Sequence, residues 1–260
     1  MESYAALSQE LTQLLHLEQP PIAISFSDAP PAGVALYNGQ APAGCRFWQD
    51  AATSTFTTSA RDHELCAIGV HTHNLQPSPA QQKDLMDALK VFADLGYVRP
   101  EDVPQIPVLK NQPQHVTYSR LAEAPLPPDL VILFVRPDQT LILTEATQQL
   151  ENENAPAMGR PACAVVAQVM NTGRPAMSLG CCGARAYLDN FADTTAIFAI
   201  PGSKLESYVE RIRVLTNANT VLSQFHQMRQ RDVAAGNRPS IQESLTAFAA
   251  SQSRAGQLGT

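Results

Sequence analysis

The chain has 260 residues, of which 44% are apolar and 16% charged, and its formal net charge is −6 at pH 7. An acidic chain without a lysine- or arginine-rich block has no basic face, so we expect neither nucleic-acid binding nor attachment to a membrane surface. The longest apolar run is far shorter than the ~20 residues that cross a bilayer, and residues 1–17 lack the basic start of a signal peptide, so the sequence predicts a cytoplasmic protein.

Hydrophobic periodicity and turn residues predict an alternation of helices and strands. In the first part of the chain they predict, in order, a helix over 3–17, a strand over 22–26, a short helix over 45–51, a strand over 55–58, a helix over 79–95 and a strand over 116–118. In the second part they predict, in order, a strand over 129–136, helices over 138–150 and 161–173, a strand over 175–179, a helix over 184–190, a strand over 195–200, and helices over 203–216 and 218–232. The unbroken apolar run from Leu130 to Val135 is typical of a strand in the middle of its sheet.

Helices and strands are mixed along the whole chain, which indicates an α/β or α+β fold with a mixed β-sheet flanked by helices. No change in composition marks a second autonomous domain. We therefore predict one globular domain over 1–235, followed by a C-terminal tail over 236–260 that is partly disordered or forms a short helix.

Two parts of the chain show a similar order of cysteines and elements. Cys45 stands at a short helix, a strand follows, and Cys66 comes 21 residues after Cys45. Cys163 likewise stands in a helix, a strand follows, and Cys181 comes 18 residues after Cys163. An apolar strand precedes each part. Because few residues are identical between the two parts, an internal pseudo-duplication and a coincidence both remain open.

The five cysteines avoid the middles of the apolar strands and stand in loops or at helix starts with glycine nearby. They are Cys45, Cys66, Cys163, Cys181 and Cys182. A helix start lowers the pKa of a thiol, and the thiolate is the form that binds metals. The spacings are not those of a zinc finger or a ferredoxin. In a reducing compartment, spacing alone therefore leaves metal binding, redox chemistry and simple burial open.

Five segments of the sequence resemble the DUF169 family of prokaryotic proteins. These segments are Pro21–Phe26, Ala43–Ala51, Cys66–Asn74, Leu179–Tyr187 and Ala199–Gly202, within a resemblance that runs from about residue 8 to 230. Matched residue by residue, the cysteines of the family correspond to Cys45, Cys66, Cys163 and Cys181. The usual Gly-Cys-Ile-Gly of the family reads Gly-Cys-Cys-Gly here, so Cys182 departs from the pattern. The family has no activity to carry over, so the resemblance implies a four-cysteine site and leaves the reaction open.

Four thiolates from well-separated segments fit a [4Fe–4S] cluster best, since structural zinc sites usually use two close pairs of ligands. We therefore expect Cys45, Cys66, Cys163 and Cys181 to hold a [4Fe–4S] cluster, with zinc as the alternative. Such a cluster would serve redox or small-molecule chemistry, as in an oxidoreductase or an iron–sulfur lyase. The partner would then be a redox protein or a small-molecule substrate, and a homo-oligomer remains open.

Four further residues are candidates for catalysis. His71 and His73 would share one face of an extended segment, which suits a pair of metal ligands or a proton donor. Arg46 and Arg185 each follow a cysteine closely and could hold an anion. The more ordinary interpretation is that the histidines bond the backbone and that the arginines are solvated.

Two other functions remain open. The chain could be a thiol- or zinc-dependent enzyme in which Cys181 and Cys182, or Cys66, react with help from His71 or His73. A nucleophilic pair of a cysteine with His63, which precedes Cys66 by three residues, is a variant of this hypothesis. The chain could also be a non-catalytic binding or regulatory module with buried cysteines.

Overall fold

The computed structural model describes residues 3–189 and 191–258, and the side chains of 253–258 lie outside that description. Its helices are α1 (Tyr4–Leu15), α2 (Arg46–Asp50), α3 (Ala67–Thr72), α4 (Pro79–Asp94), α5 (Pro137–Glu151), α6 (Ala164–Thr172), α7 (Cys182–Tyr187), α8 (Leu205–Ala234) and α9 (Ile241–Leu258). Its strands are β1 (Ile22–Ser27), β2 (Ala35–Leu36), β3 (Phe56–Thr58), β4 (His115–Arg120), β5 (Leu130–Val135), β6 (Ala157–Met158), β7 (Ala176–Ser178) and β8 (Ala196–Pro201).

In the described part of the chain the strands form one mixed, eight-stranded sheet in the order β2-β3-β4-β1-β5-β8-β7-β6. Strand β5 lies in the middle, antiparallel to both β1 and β8, and all six of its residues are buried. A continuous apolar strand needs cover on both faces of the sheet. Helices α5 and α6 pack against this central region. The predicted central strand and the predicted helix-flanked mixed sheet are therefore confirmed.

Four local elements differ from the sequence prediction. Strands β2 and β6 were not predicted, because two residues are too short to show an alternating pattern. Helix α3 was also not predicted, although it follows Cys66 directly. Helix α8 runs unbroken where two helices were predicted, since no glycine or proline interrupts residues 205–234.

The sheet consists of two halves with the same topology. The first half runs β1, β2, α2, β3, α3, β4, and the second runs β5, β6, α6, β7, α7, β8. Their strand orders, read from edge to centre, are β2-β3-β4-β1 and β6-β7-β8-β5. In each half the outermost pair is parallel and the other two pairs are antiparallel. This match in topology supports the interpretation of the cysteine pattern as a duplication.

Among residues 22–189 and 191–201, each half has one insertion that the other lacks. In the first half, α4 and a 3-10 helix at Pro100–Gln105 lie between α3 and β4. In the second half, α5 lies between β5 and β6. The two halves therefore share a core of strands and short helices and differ in what has been added to it.

The chain divides into two compact units, Met1–Ile212 and Arg213–Thr260. Within the second unit, the rings of Phe225 and Phe248 lie 5.7 Å apart, and Arg229 donates a hydrogen bond to the hydroxyl of Ser244 at 2.7 Å. The boundaries of an autonomous domain over 1–235 and of a tail over 236–260 stay a prediction. None of the helices in the described residues is long and apolar enough to cross a membrane.

Candidate cysteine site

Four cysteines stand immediately before four short helices of the sheet connections. Cys45 precedes α2 and Cys66 precedes α3, whereas Cys163 precedes α6 and Cys181 precedes α7. In each half, the first cysteine begins the helix between the second and third strands, and the second begins the helix between the third and fourth. The two pairs therefore occupy equivalent positions, next to backbone N–H groups that have no partner inside the helix.

All five cysteines line one cavity of about 460 Å³, which we call the cysteine pocket. Cys45, Cys66 and Cys163 are buried, Cys181 is half-buried and Cys182 is exposed. The pocket wall is completed by loop residues beside the cysteines and by apolar residues of α4. The three buried cysteines thus form the inner part of the pocket, and helix α4 of the first half forms part of its outer wall.

Burial controls the protonation of the inner cysteines. Burial, followed by the charges of Cys66 and Cys181, raises the pKa of Cys45 to about 12. The pKa of Cys163 is raised well above its ordinary value by burial and by Cys66, although the Thr72 hydroxyl donates to its sulfur at 3.4 Å and opposes this shift. Burial likewise raises the pKa of Cys66. These thiols lie close enough to influence one another, and without a positive partner they stay neutral at pH 7.

Among residues 3–189 and 191–258 no three His, Cys, Asp or Glu side chains are grouped closely enough to hold a metal ion. A single tetrahedral zinc, with Zn–S bonds of about 2.3 Å, requires ligand sulfurs about 3.8 Å apart. The four cysteines share a pocket without forming such a set. This arrangement does not fit a preformed mononuclear site.

His63 lies behind Cys66 and is fully buried. Its Nε2 is 3.4 Å from the hydroxyl of Thr58, and its Nδ1 has no hydrogen-bond partner in the described part of the chain. A Cβ atom added to Gly69 would lie 3.2 Å from this Nδ1 and 3.0 Å from the sulfur of Cys66. The imidazole and the sulfur are therefore neighbours. The sequence signal for this residue was its spacing of three residues from Cys66.

His71 and His73 do not form the extended pair that the sequence predicts. His71 belongs to α3, and His73 follows the end of that helix. Positions two apart in a helix point in directions about 200° apart, so these side chains do not share a face. His71 is half-buried and His73 is fully buried. Neither lines the cysteine pocket.

Arg46 and Arg185 also lie outside the pocket lining. Arg46 binds the carboxylates of Asp50 and Asp189 at 3.1 and 2.6 Å. Arg185 donates hydrogen bonds to backbone oxygens, among them that of Ala192 at 3.1 Å, and its guanidinium lies over the ring of Phe191. Both arginines thus tie segments of the protein together, and neither is available for an anion in the pocket.

The buried His73 should make the protein sensitive to acid. Burial lowers its pKa from 6.5 to about 4, and neither ring nitrogen has a partner among the described residues. Between these two pH values the unfolded chain binds the proton and the folded chain does not, so stability falls as the pH falls below 6.5. We expect His73 to contribute a loss of about 2 kcal/mol between pH 7.5 and pH 5. His73→Leu should remove that part of the pH dependence in urea unfolding.

The matched control is His16→Asn, because His16 is exposed and has a left-handed backbone conformation that asparagine tolerates. This variant should keep the pH dependence of the unmodified protein. Equal slopes of stability against pH for His73→Leu and the unmodified protein would contradict the prediction.

The sequence matches the model of the family DUF169, described as uncharacterised ArCR, over residues 10–211. The chain belongs to the DUF169 family. The family match covers both halves of the sheet and all five cysteines, so the resemblance predicted from the five segments is confirmed. Neither a curated protein nor a solved structure matches the chain significantly. The chemistry of this DUF169 site must therefore be inferred from its own residues.

Proposed function

We propose that this chain is an iron–sulfur protein in which Cys45, Cys66, Cys163 and Cys181 hold a [4Fe–4S] cluster. The observation that carries the proposal is that these cysteines occupy equivalent helix starts in two repeats and line one pocket. A duplication by itself explains the equivalent positions, and a shared ligand also explains why all four cysteines line one pocket.

The chemistry of the donor set supports a cluster over a single ion. The four groups are all sulfur, which favours iron–sulfur clusters or zinc over hard cations such as magnesium. A cluster distributes its four ligands around a core of four irons, so its sulfurs stand further apart than those around one zinc. Structural zinc sites usually take their ligands as two close pairs, whereas these four cysteines come from well-separated segments of the chain.

Burial disfavours Cys45, Cys66 and Cys163 as nucleophiles. A reactive cysteine needs a lowered pKa, but the pKa values of Cys45, Cys66 and Cys163 are all raised. A positively charged iron–sulfur core would convert these neutral thiols into thiolates, with release of protons. The buried thiols therefore suit ligands better than nucleophiles.

When bound, the cluster would supply one-electron transfer or a Lewis-acidic iron. The chain would hold it by the four sulfurs, and the Thr72 hydroxyl would donate to Cys163. The apolar wall would exclude water from the inner cysteines, while the half-buried Cys181 marks the open side. An open side suits reaction with a small molecule, so we propose an oxidoreductase or an iron–sulfur lyase, in the cytoplasm, where free cysteines persist.

The test is metal analysis of protein that has been purified or reconstituted without oxygen. We expect a brown protein with about four irons and four sulfides per chain. A content of one zinc per chain would contradict the cluster and support the zinc alternative. A colourless, metal-free protein after reconstitution would favour the non-catalytic module.

Gly69→Ala should weaken cluster binding without unfolding the protein. The added methyl would lie 3.0 Å from the sulfur of Cys66, so that sulfur must move. Changes beside metal ligands weaken binding roughly tenfold or more, so a roughly tenfold lower chelator concentration should remove the iron. Gly183→Ala is the control, because its methyl would meet nothing closer than the Tyr187 ring at 3.8 Å. Equal iron retention by the two variants would contradict the prediction.

A further inference from the structure

Helix α4, which is inserted between α3 and β4 of the first half, presents an apolar face to the cysteine pocket. Four half-buried residues of α4 line the pocket, namely Leu85, Ala88, Leu89 and Phe92. The residue of α4 that is buried is Gln81, whose side-chain amide donates a hydrogen bond to the backbone oxygen of Ala60. An amphipathic helix normally buries its apolar stripe in a core. Here the stripe faces a cavity, and the described residues of the second half form no corresponding helix.

Arg160 stands at the rim of the same pocket with its charge unpaired. Its guanidinium lies 3.8 Å from the centroid of the Tyr97 ring, and the Tyr97 hydroxyl accepts the backbone N–H of Cys182 at 3.3 Å. Within the described residues, Arg160 makes no hydrogen bond or ion pair. Asp102 is near enough for Arg160 to lower its pKa, but Arg99 already holds that carboxylate at 2.6 and 2.7 Å.

A stacked guanidinium uses its face for the aromatic ring and keeps its edge for hydrogen bonds. The edge presents N–H donors in the geometry that binds a carboxylate through two parallel hydrogen bonds. The other charged residues of the pocket lining are Glu64 and Asp84, both exposed and both acidic. Arg160 can pair with one carboxylate, and the two acidic side chains would repel any further negative charge on the ligand, so a single carboxylate fits the rim better than several.

We propose that the outer part of the cysteine pocket binds a small molecule with an apolar body and one carboxylate. The body would lie against the apolar face of α4, and the carboxylate would pair with Arg160. The whole cysteine pocket, with its inner and outer parts together, has a volume of about 460 Å³, which lies within the range of small-molecule sites. The proposal rests on the proposed function in that this molecule would lie beside the cluster as its substrate.

The test uses three probes with the same apolar chain and different head groups: hexanoate, hexan-1-ol and hexylamine. Binding to the full chain, prepared without oxygen, is measured by calorimetry. We expect hexanoate to bind at least roughly tenfold more tightly than the alcohol or the amine. Arg160→Gln should reduce hexanoate binding to the level of the alcohol, whereas Leu89→Ala should weaken hexanoate and the alcohol by similar factors. Arg231→Gln, an exposed change in the second unit, should have no effect.

Three results would overturn the proposal: no binding of hexanoate, tightest binding of hexylamine with loss in Glu64→Gln, or unchanged hexanoate binding in Arg160→Gln. Iron is measured on the same samples. Hexanoate binding by protein that holds no iron would contradict the cluster proposal and support the carboxylate site. Full iron content without hexanoate binding would contradict the carboxylate site and support the cluster.

Discussion

Cys163→Ser protein should contain almost no iron, whereas the unmodified protein should carry about four irons per chain after anaerobic reconstitution. Cys163 is fully enclosed, and its sulfur accepts the hydroxyl hydrogen of Thr72. Serine preserves the shape of the side chain but does not supply a thiolate, so one of the four proposed ligands is lost while packing changes little. The measurement is iron and sulfide content together with visible absorbance.

The two-fold repeat makes this prediction more specific. Cys45 occupies the position in the first half that Cys163 occupies in the second. Cys45→Ser should therefore fail to hold the cluster in the same way. Cys182→Ser is the matched control. Cys182 is exposed, and the equivalent position of the first half, the first residue of α3, is Ala67 and not a cysteine. Normal iron content in Cys163→Ser, or loss of iron in Cys182→Ser, would contradict the assignment of ligands.

Gly202→Ala should have the largest effect on stability. A methyl group at Gly202 would lie 1.7 Å from the carbonyl oxygen of Pro128, which is backbone and has no side-chain freedom to yield. Gly202 follows β8 directly and donates its N–H to the oxygen of Asp129 at 2.8 Å, where β5 and β8 come together. Relief of the clash must separate the central strands of the sheet. We expect unfolding free energy to fall by more than about 4 kcal/mol, or the protein to be insoluble.

The control for this substitution is Gly159→Ala. Nothing lies within 4 Å of the methyl group that it would add, and Gly159 has no positive φ. Its unfolding free energy, measured in urea, should stay within about 0.5 kcal/mol of that of the unmodified protein. A change of less than 1 kcal/mol in Gly202→Ala would show that the two strands can separate at little cost.

Local chemistry made parts of this fold predictable. The run Leu130–Val135 is apolar throughout, and such a run is stable as a strand when both faces of the sheet are covered. The cysteines were recognisable for a similar reason, because they stand in loops or at helix starts, away from the middles of the apolar strands, with glycine nearby. In contrast, His71 and His73, two residues apart, suggested an extended ligand pair, but His71 lies in α3 and His73 at its end, where positions two apart do not share a face.

The amino-acid sequence by itself determined the class of fold, the central strand, the family and the set of candidate cysteines. These depend on periodicity and on residues close together in the chain. Only the tertiary structure decided that the two halves share one topology, that Arg160 stands over Tyr97, and that the four cysteines line one pocket. These depend on strand pairing between distant segments, and the free energy of such pairing comes from packing across the whole sheet and leaves no short pattern in the sequence.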